Sequence, residues 1–364
     1  MRPETTSADT GQGVRHGRPW WLPALYAAAA LLASLLLDPL SGLHVWKMYR
    51  ASLSHLLAGQ DLYAAYPAQY HDFFKYSPTF PLLFAPFAAL PSTVALVAWN
   101  LLNASALYLA LDRLLPGREG TSALALGVLA FLVPTDGCQI NPLVAALMVL
   151  AFVALERDRQ PAAALAIAVG AAIKVFPLAA APFALFHARQ WRFALILAAI
   201  GVATILLPLL VTSPAQLLAQ YSSWVRIESA DALPGYFYSA NFQLSKLWNV
   251  VLPAWPLALA GTLALLAPLL RHRALRADPR FRMLFLCSVL GYVVVFNHQA
   301  ERETQAIALT GLAIWAAIMP RHRGRTALIL AGFTTLSIWL TLLAWIGLQV
   351  DLWRCTPSPT APGS

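Results

Sequence analysis

Charge is scarce in this sequence, and so is cysteine. Asp, Glu, Lys and Arg make up 11% of its 364 residues, where a soluble globular chain carries roughly a quarter. Hydrophobic residues make up 59%, and mean hydropathy is +0.63. That balance excludes a soluble enzyme and a disordered chain, and it is the composition of a polytopic membrane protein. The three cysteines, Cys138, Cys287 and Cys355, lie far apart, which excludes a disulfide scaffold and reads as free thiols. There is no Gly-rich phosphate loop and no strand–helix–strand pattern, so no nucleotide-binding domain is expected. No cluster has standard metal-ligand spacing, so a metal is neither required nor excluded. The net charge of +9 would suggest nucleic acid in a soluble protein. In a membrane protein its meaning depends on where the positive charges fall.

What is present is a series of apolar runs. Trp20–Leu37, Val94–Leu111, Phe193–Thr212, Val250–Leu270, Thr304–Pro320 and Thr326–Val350 are long enough to cross about 30 Å of hydrocarbon. Ser122–Pro134, Pro142–Leu155, Pro161–Ile173, Val175–Phe186 and Met283–Asn297 are short for a crossing. Taken together they predict an all-α polytopic membrane protein of about 11 spanning or part-spanning helices. Counted as crossings, they put the N-terminal tail 1–19 in the cytoplasm and the C-terminal tail 351–364 outside. Residues 20–350 form one transmembrane domain with two large outer loops, 38–93 and 213–249.

The basic residues test that reading. Loops assigned to the cytoplasm hold 17 of the 25 Lys and Arg, and every such loop is basic, as the positive-inside rule requires. The outer face is left with Lys47, Arg50, Lys75, Lys174, Arg226, Lys246, Arg302 and Arg354. All four lysines are among them. Long cationic side chains near helix ends can snorkel to the interface, so each admits a structural reading as well as a functional one.

The first outer loop is the richest polar stretch. Trp46, Tyr49, Leu53, Leu56 and Leu57 share one face of an amphipathic helix, with Lys47, Arg50 and Ser54 opposite, a pattern that suits the membrane interface. Gly59 ends it. Between Asp61 and Tyr76 lie two Asp, one His, one Lys and four Tyr. Such rings stack on the C–H faces of sugars while the charges read hydroxyls, although the same residues would also make an interfacial aromatic belt. Thr79–Leu90 follows, too short to span, before the chain returns through Val94–Leu111.

Several short pieces carry a family resemblance. They are Gly59-Gln60-Asp61-Leu62-Tyr63, Lys75-Tyr76-Ser77-Pro78, Ala85-Pro86-Phe87-Ala88-Ala89-Leu90-Pro91, Trp99-Asn100-Leu101-Leu102-Asn103, Gln139-Ile140-Asn141, Ala172-Ile173-Lys174-Val175-Phe176-Pro177 and Phe296-Asn297-His298-Gln299-Ala300-Glu301. In order and spacing they resemble glycosyltransferase family 87, membrane proteins of the GT-C type that use polyprenyl-phosphate sugars. The resemblance covers roughly residues 20–320. It implies a GT-C-like helical bundle with interfacial helices in the first outer loop. It also implies transfer of a mannose-like hexose or a pentose to an envelope glycan or lipid acceptor on the outer face of the cytoplasmic membrane. The lipid-linked sugar would be a substrate and not a cofactor; the bilayer, the donor lipid and the acceptor are the expected partners, and nucleic acid is not. Family members often carry an Asp shortly after the first span. Here Gly42-Leu43-His44 stands there, with Asp38 six residues earlier.

An inverting transfer needs a general base for the acceptor hydroxyl and cationic or hydrogen-bonding groups for the leaving phosphate. Candidate bases are Asp72, Asp61, Asp38 and His44. Asp72 is favoured because the local chain brings it near Lys75 and the aromatic turn, whereas Asp61 serves equally well as a cap. Candidate substrate-binding residues are Tyr63, Tyr70, Lys75, Tyr76, Gln139, Asn141, Lys174, Asn241, His298, Glu301 and Arg302. Lys174 stands out because it joins two short apolar segments, an arrangement that leaves polar groups facing a cavity. The same feature occurs in transporters, so a transporter or flippase for a lipid-linked or small polar substrate is the competing reading. The polar aromatic clusters lie on one side only and no internal repeat is visible, which favours the transferase.

Overall fold

A computed structural model describes residues 18–35, 42–132, 138, 140–230, 239–250, 253–297, 300–319 and 338–356. Among these residues every regular element is a helix. The α-helices are α1 (Trp21–Leu35), α2 (Gly42–Leu57), α3 (Phe80–Ala88), α4 (Ser92–Leu114), α5 (Gly117–Leu132), α6 (Asn141–Glu156), α7 (Gln160–Ile173), α8 (Gln190–Leu206), α9 (Pro214–Ala230), α10 (Ala240–Trp248), α11 (Ala254–Arg271), α12 (Pro279–Val295), α13 (Gln305–Ile318) and α14 (Ile338–Trp353). The helical starts follow local chemistry. Pro142, Pro161 and Pro279 occupy first-turn positions where no N–H is missed. Asp278 caps α12 by accepting the N–H of Arg280 at 2.7 Å and of Phe281 at 3.3 Å. Three helical stretches, Ser92–Leu114, Gln190–Leu210 and Ala254–Arg271, are long and apolar enough to cross a membrane.

The helices pack in a continuous chain of neighbours. α1 lies on α4, α4 on α6, α6 on α7 and α7 on α8; α5 packs on α13, α13 on α12, and α12 on α14. Rings of Phe152, Phe183, Phe186 and Phe285 interlock edge to face between α6, α12 and the segment after α7. That segment, Val175–Phe186 in the sequence reading, is not an α-helix. Residues Phe176–Phe186 form a 3-10 helix, because Pro177 and Pro182 remove two N–H donors from an α ladder. It folds back so tightly that a side chain on Gly170 would meet Pro177 Cγ at 2.7 Å.

The arginine-rich ends gather at one end of the bundle. Arg18 pairs with Asp112 at 2.6 Å and donates to the Gly117 carbonyl at 2.7 Å. Arg157 donates to the Arg113 carbonyl at 2.9 Å. Glu156 receives Arg282 at 3.1 Å and His187 at 3.3 Å. Five separate loops are thus tied at one level.

The last helix corrects the sequence reading of the C-terminus. Thr341 near its start donates to Gln305, the first residue of α13, at 2.9 Å. Trp345 donates to the Ser288 carbonyl at 3.0 Å, and Asp351 near its end accepts from Trp315 at 3.0 Å. α14 therefore runs parallel to α13 and ends where α13 ends, with Trp353 against Arg271 and His272. Residues 338–350 of the Thr326–Val350 run belong to α14, and 326–337 lie outside the described residues. The tail from Asp351 to Thr356 sits at the same end as Arg18, not opposite it. Arg354 joins the basic end, which sharpens the charge asymmetry.

Close helix contact depends on small residues where backbones meet. A Cβ on Gly311 would lie 2.9 Å from the Cys287 carbonyl oxygen and 3.0 Å from Leu290 Cβ, whereas one on Gly201 meets nothing within 4 Å. Gly311→Ala is expected to destabilise the purified protein by about 1–3 kcal/mol. Gly201→Ala should be neutral or slightly stabilising. Thermal unfolding of the two variants in detergent checks this; equal melting temperatures would contradict the α12–α13 contact.

Candidate active site around the first loop

The first loop is built on an aromatic slab. Gly59 adopts φ +67°, a conformation that favours glycine and turns the chain out of α2. The buried face of α2 is Trp46, Met48, Tyr49, Ser52, His55 and Leu56. Leu57, expected on that face, is exposed, because the face follows the packing of α2 on α3 and on the loop. Tyr49 is the centre of the slab. Its ring lies 5.1 Å from Tyr76, 5.0 Å from Phe80, 5.6 Å from Phe84 and 6.0 Å from Trp99.

The Lys75–Pro78 turn is pinned from several sides. The Tyr49 and Tyr76 hydroxyls share a hydrogen bond of 2.5 Å. Tyr63 donates to the Tyr76 carbonyl at 2.8 Å. Ser77 donates to the carbonyl of Ala172 at 2.5 Å, Thr79 to that of Thr204 at 2.8 Å, and Trp224 of α9 donates to the Lys75 carbonyl at 3.2 Å. The turn thus touches α2, α7, α8 and α9.

Charge converges on the tyrosine pair. Burial pushes both phenols well above their ordinary range; the neighbouring phenol, the Cys138 thiol and the Glu301 carboxylate raise Tyr49 further. Glu301, Cys138 and the Asp72 carboxylate act on Tyr76 in the same direction, against the hydrogen bond from Tyr49. Asp72 and Glu301, over two hundred residues apart in the chain, thus both bear electrostatically on the Tyr76 phenol. Cys138 is close because its carbonyl accepts the Trp99 indole N–H at 3.0 Å. Nearby, Asn103 accepts the Leu143 N–H at 3.2 Å, which fixes the start of α6 and buried Asn141.

The sequence candidates divide. Asp72 is exposed, with one carboxylate oxygen on the Phe73 N–H at 2.8 Å. The His44 ring lies 4.7 Å from that of His71, tilted at 55° to it, and His71 is the residue before Asp72, so two of the proposed bases share one patch. Lys174 is half-buried with its ammonium 5.7 Å from the Phe176 ring, two residues from the carbonyl that holds Ser77. Lys75 and Tyr76 belong to the same turn. Asp61 is in a different position: it accepts its own loop's Tyr63 N–H at 3.0 Å and the Ser223 hydroxyl at 2.9 Å. With Gln220, which bridges Gln60 and Leu62, it ties the loop to α9, an anchoring role. Glu301 starts a short 3-10 turn in a capping box with Thr304. Arg302 beside it is exposed. Asn241 lies in the first turn of α10, which packs on α14. Asp38, Gln139 and His298 fall outside the described residues.

The tyrosines do not present open faces. Tyr63, Tyr70 and Tyr76 are buried, so they form the wall under the loop, and Phe73 is the large exposed ring. Tyr49, Trp99 and Cys138 were absent from the sequence candidates. Only Tyr49 had a visible signal, its place with Trp46 on one helical face; Trp99 and Cys138 lie in apolar runs and look like core.

His55 makes the loop sensitive to acid. Its Nε2 faces Gln69 Oε1 at 3.0 Å, its ring stacks 4.0 Å from Tyr66, and Nδ1 is buried with no hydrogen-bond partner. Burial holds its pKa below the usual 6.5, against the hydrogen bond that Nε2–H donates to Gln69. A folded pKa below the unfolded one means this stabilisation is complete above pH 6.5 and is lost as pH falls from there through the folded value. Hydrogen exchange over residues 55–70 should quicken as pH drops from about 7 to about 5, after correction for intrinsic rates. His55→Gln should flatten that dependence; an unchanged profile in this variant would assign the acid sensitivity to another group.

A family model described as glycosyltransferase family 87 matches residues 73–296. The match takes in Lys75, Tyr76, Asn141, Lys174 and Asn241; Asp72, His44 and Glu301 lie beyond its ends. No curated protein matches the sequence significantly. Among solved structures, the archaeal oligosaccharyltransferase AglB from Archaeoglobus fulgidus, in complex with an inhibitory peptide and a dolichol-phosphate, is 14% identical over 94% of this chain, with a TM-score of 0.43. The chain spans 57% of the length of that protein. With a family match over more than half its length, this chain belongs to glycosyltransferase family 87.

Proposed function

We propose that the protein transfers a mannose-like hexose or a pentose from a polyprenyl-phosphate sugar to a hydroxyl of an envelope glycan or lipid, at the bundle end opposite the arginine-rich loops. The observation that carries this reading is the pinned Lys75–Pro78 turn, which holds Lys75 and whose Ser77 bonds to the Ala172 carbonyl, two residues before Lys174. A glycosyltransferase is what the family supplies; the donor, acceptor and roles below are inferred.

Asp72 takes the acceptor proton as general base, with the oxygen not used by the Phe73 N–H. The acceptor oxygen attacks the sugar's anomeric carbon, the bond from that carbon to phosphate oxygen breaks, and the polyprenyl phosphate leaves with the electron pair. The ammonium groups of Lys174 and Lys75 stabilise the charge that grows on the leaving phosphate. The raised pKa of Tyr49 and Tyr76 keeps both phenols neutral, so they act as hydrogen-bonding wall groups and not as bases. A lipid donor reaches such a site laterally from the bilayer, along helices such as α8, whose Leu195, Val202 and Ile205 are exposed.

Two tests follow. Asp72→Asn is expected to lower the chemical step by about 10²–10⁴-fold with donor affinity little changed. Lys174→Ala should weaken donor binding by about 1.5–3 kcal/mol and also slow transfer. Product formation and donor binding, measured for these with His44→Ala, Asp61→Asn, Asp38→Asn and Glu301→Gln, assign the base. An active Asp72→Asn beside a dead Glu301→Gln or His44→Ala moves the base to that residue. Purified protein that moves a lipid-linked substrate and never forms a glycosidic product would favour a flippase.

The second test is sidedness. In a Cys355→Ser background, Ala68→Cys should label from outside intact cells, and Thr356→Cys only after permeabilisation. The motivation is the arginine cluster at one end and the return of α14 to it. Labelling of both from the same side would overturn the placement of the site.

A further inference from the structure

The basic end carries a groove that the transfer reaction does not use. It lies between α6, α7 and the end of α4, with a volume of about 370 Å³. Three arginines, Arg113, Arg157 and Arg159, stand at its mouth, and its walls are apolar, among them Leu147, Leu165 and Val169. Leu165 is 52% exposed, so the walls face the surroundings of the bundle and not its core.

Size and charge identify an occupant. From Arg159 to Val169 is ten residues of one helix, which spans about 15 Å. That is about half of the 30 Å hydrocarbon layer, the depth of one leaflet. The groove therefore offers cations at the headgroup level and an apolar trough of one acyl-chain length below them. Arg157 is held in place by its bond to the Arg113 carbonyl at 2.9 Å, which occupies one of its five N–H donors. Glu156, the nearest carboxylate on α6, is engaged by Arg282 and His187. Asp158 shares the turn with Arg157 and Arg159 but does not line the groove, so the mouth keeps a net positive charge.

We propose that this groove binds an anionic phospholipid of the leaflet at the basic end, its phosphate on Arg113, Arg157 and Arg159 and an acyl chain along α6 and α7. Basic pockets between membrane helices recognise lipid phosphates in this way. The bound lipid bridges three helices and stabilises the α6–α7 hairpin, whose far end carries Lys174. The inference stands apart from the transferase reading, because sugar transfer at the opposite end is a separate readout.

The test uses the full-length protein in detergent with phosphatidylglycerol and phosphatidylcholine as probes, read by native mass spectrometry and thermal shift. Phosphatidylglycerol should bind and raise the melting temperature; phosphatidylcholine should do neither. The triple variant Arg113→Gln/Arg157→Gln/Arg159→Gln should bind phosphatidylglycerol about a hundredfold more weakly, since each basic side chain at an anionic surface contributes about fivefold. Leu165→Trp, which fills the trough and keeps every charge, should also weaken binding, while Arg192→Gln at the same end should not. If the triple variant is poorly folded, Leu165→Trp and Arg192→Gln decide the matter between them. Equal binding of the two lipids, undiminished binding in Leu165→Trp, or displacement of phosphatidylglycerol by a polyprenyl phosphate would each overturn the proposal.

Discussion

Hydrocarbon gives a peptide N–H or C=O no partner, so each must find one inside the protein. Most of this chain meets that demand by helix formation. The places where it cannot are the places where the structure becomes specific. The carbonyl of Ala172, at the end of α7, is taken by Ser77; that of Thr204, in the last turn of α8, by Thr79; and that of Cys138 by Trp99. In each case a side chain from a distant element satisfies a backbone oxygen, and the bond fixes where that element lies. The first loop is positioned by two of these bonds, and so is everything proposed for it.

The same demand explains why the loop is rigid in a region rich in polar residues. Asp61, Gln220 and Ser223 join the turn after α2 to α9, and Tyr63 closes on the Tyr76 carbonyl. The aromatic slab from Trp46 to Trp99 fills the space beneath. Asp72 and His71 remain at the surface above a fixed floor, which is how catalytic groups on a loop gain precision from their support.

The two ends of the bundle are chemically distinct. One gathers arginines that bond to helix-terminal carbonyls and to Asp112 and Glu156. The other holds lysines, tyrosines, Asp72 and Glu301. Arginine suits the first task because its planar fork reaches several carbonyls at once. Lysine at the second end carries a compact charge that a phosphate can approach without a fixed geometry. The groove at the arginine end and the loop at the lysine end would place lipid phosphates in opposite leaflets.

Much of this was open to the sequence by itself. The scarcity of charge and the length of the apolar runs determined a helical membrane protein, because only helices satisfy such backbones in lipid. The spread of arginines determined which loops share an end. The order of short motifs pointed to the family and to the Lys75–Pro78 turn, because those residues are local and polar. Tertiary structure alone decided the rest. It set the end of α14 beside the end of α13 at the basic end, since an apolar run does not show which helix it lies against. It made the short apolar run Val175–Phe186 a 3-10 fold-back around Pro177 and Pro182, a shape that hydropathy does not show. It turned Asp61 into an anchor on α9 and Tyr63, Tyr70 and Tyr76 into a wall, because burial depends on how the loop packs and not on its local sequence. It joined the Lys75–Pro78 turn to α7, α8 and α9 through Ser77, Thr79 and Trp224, and no spacing along the chain encodes those contacts.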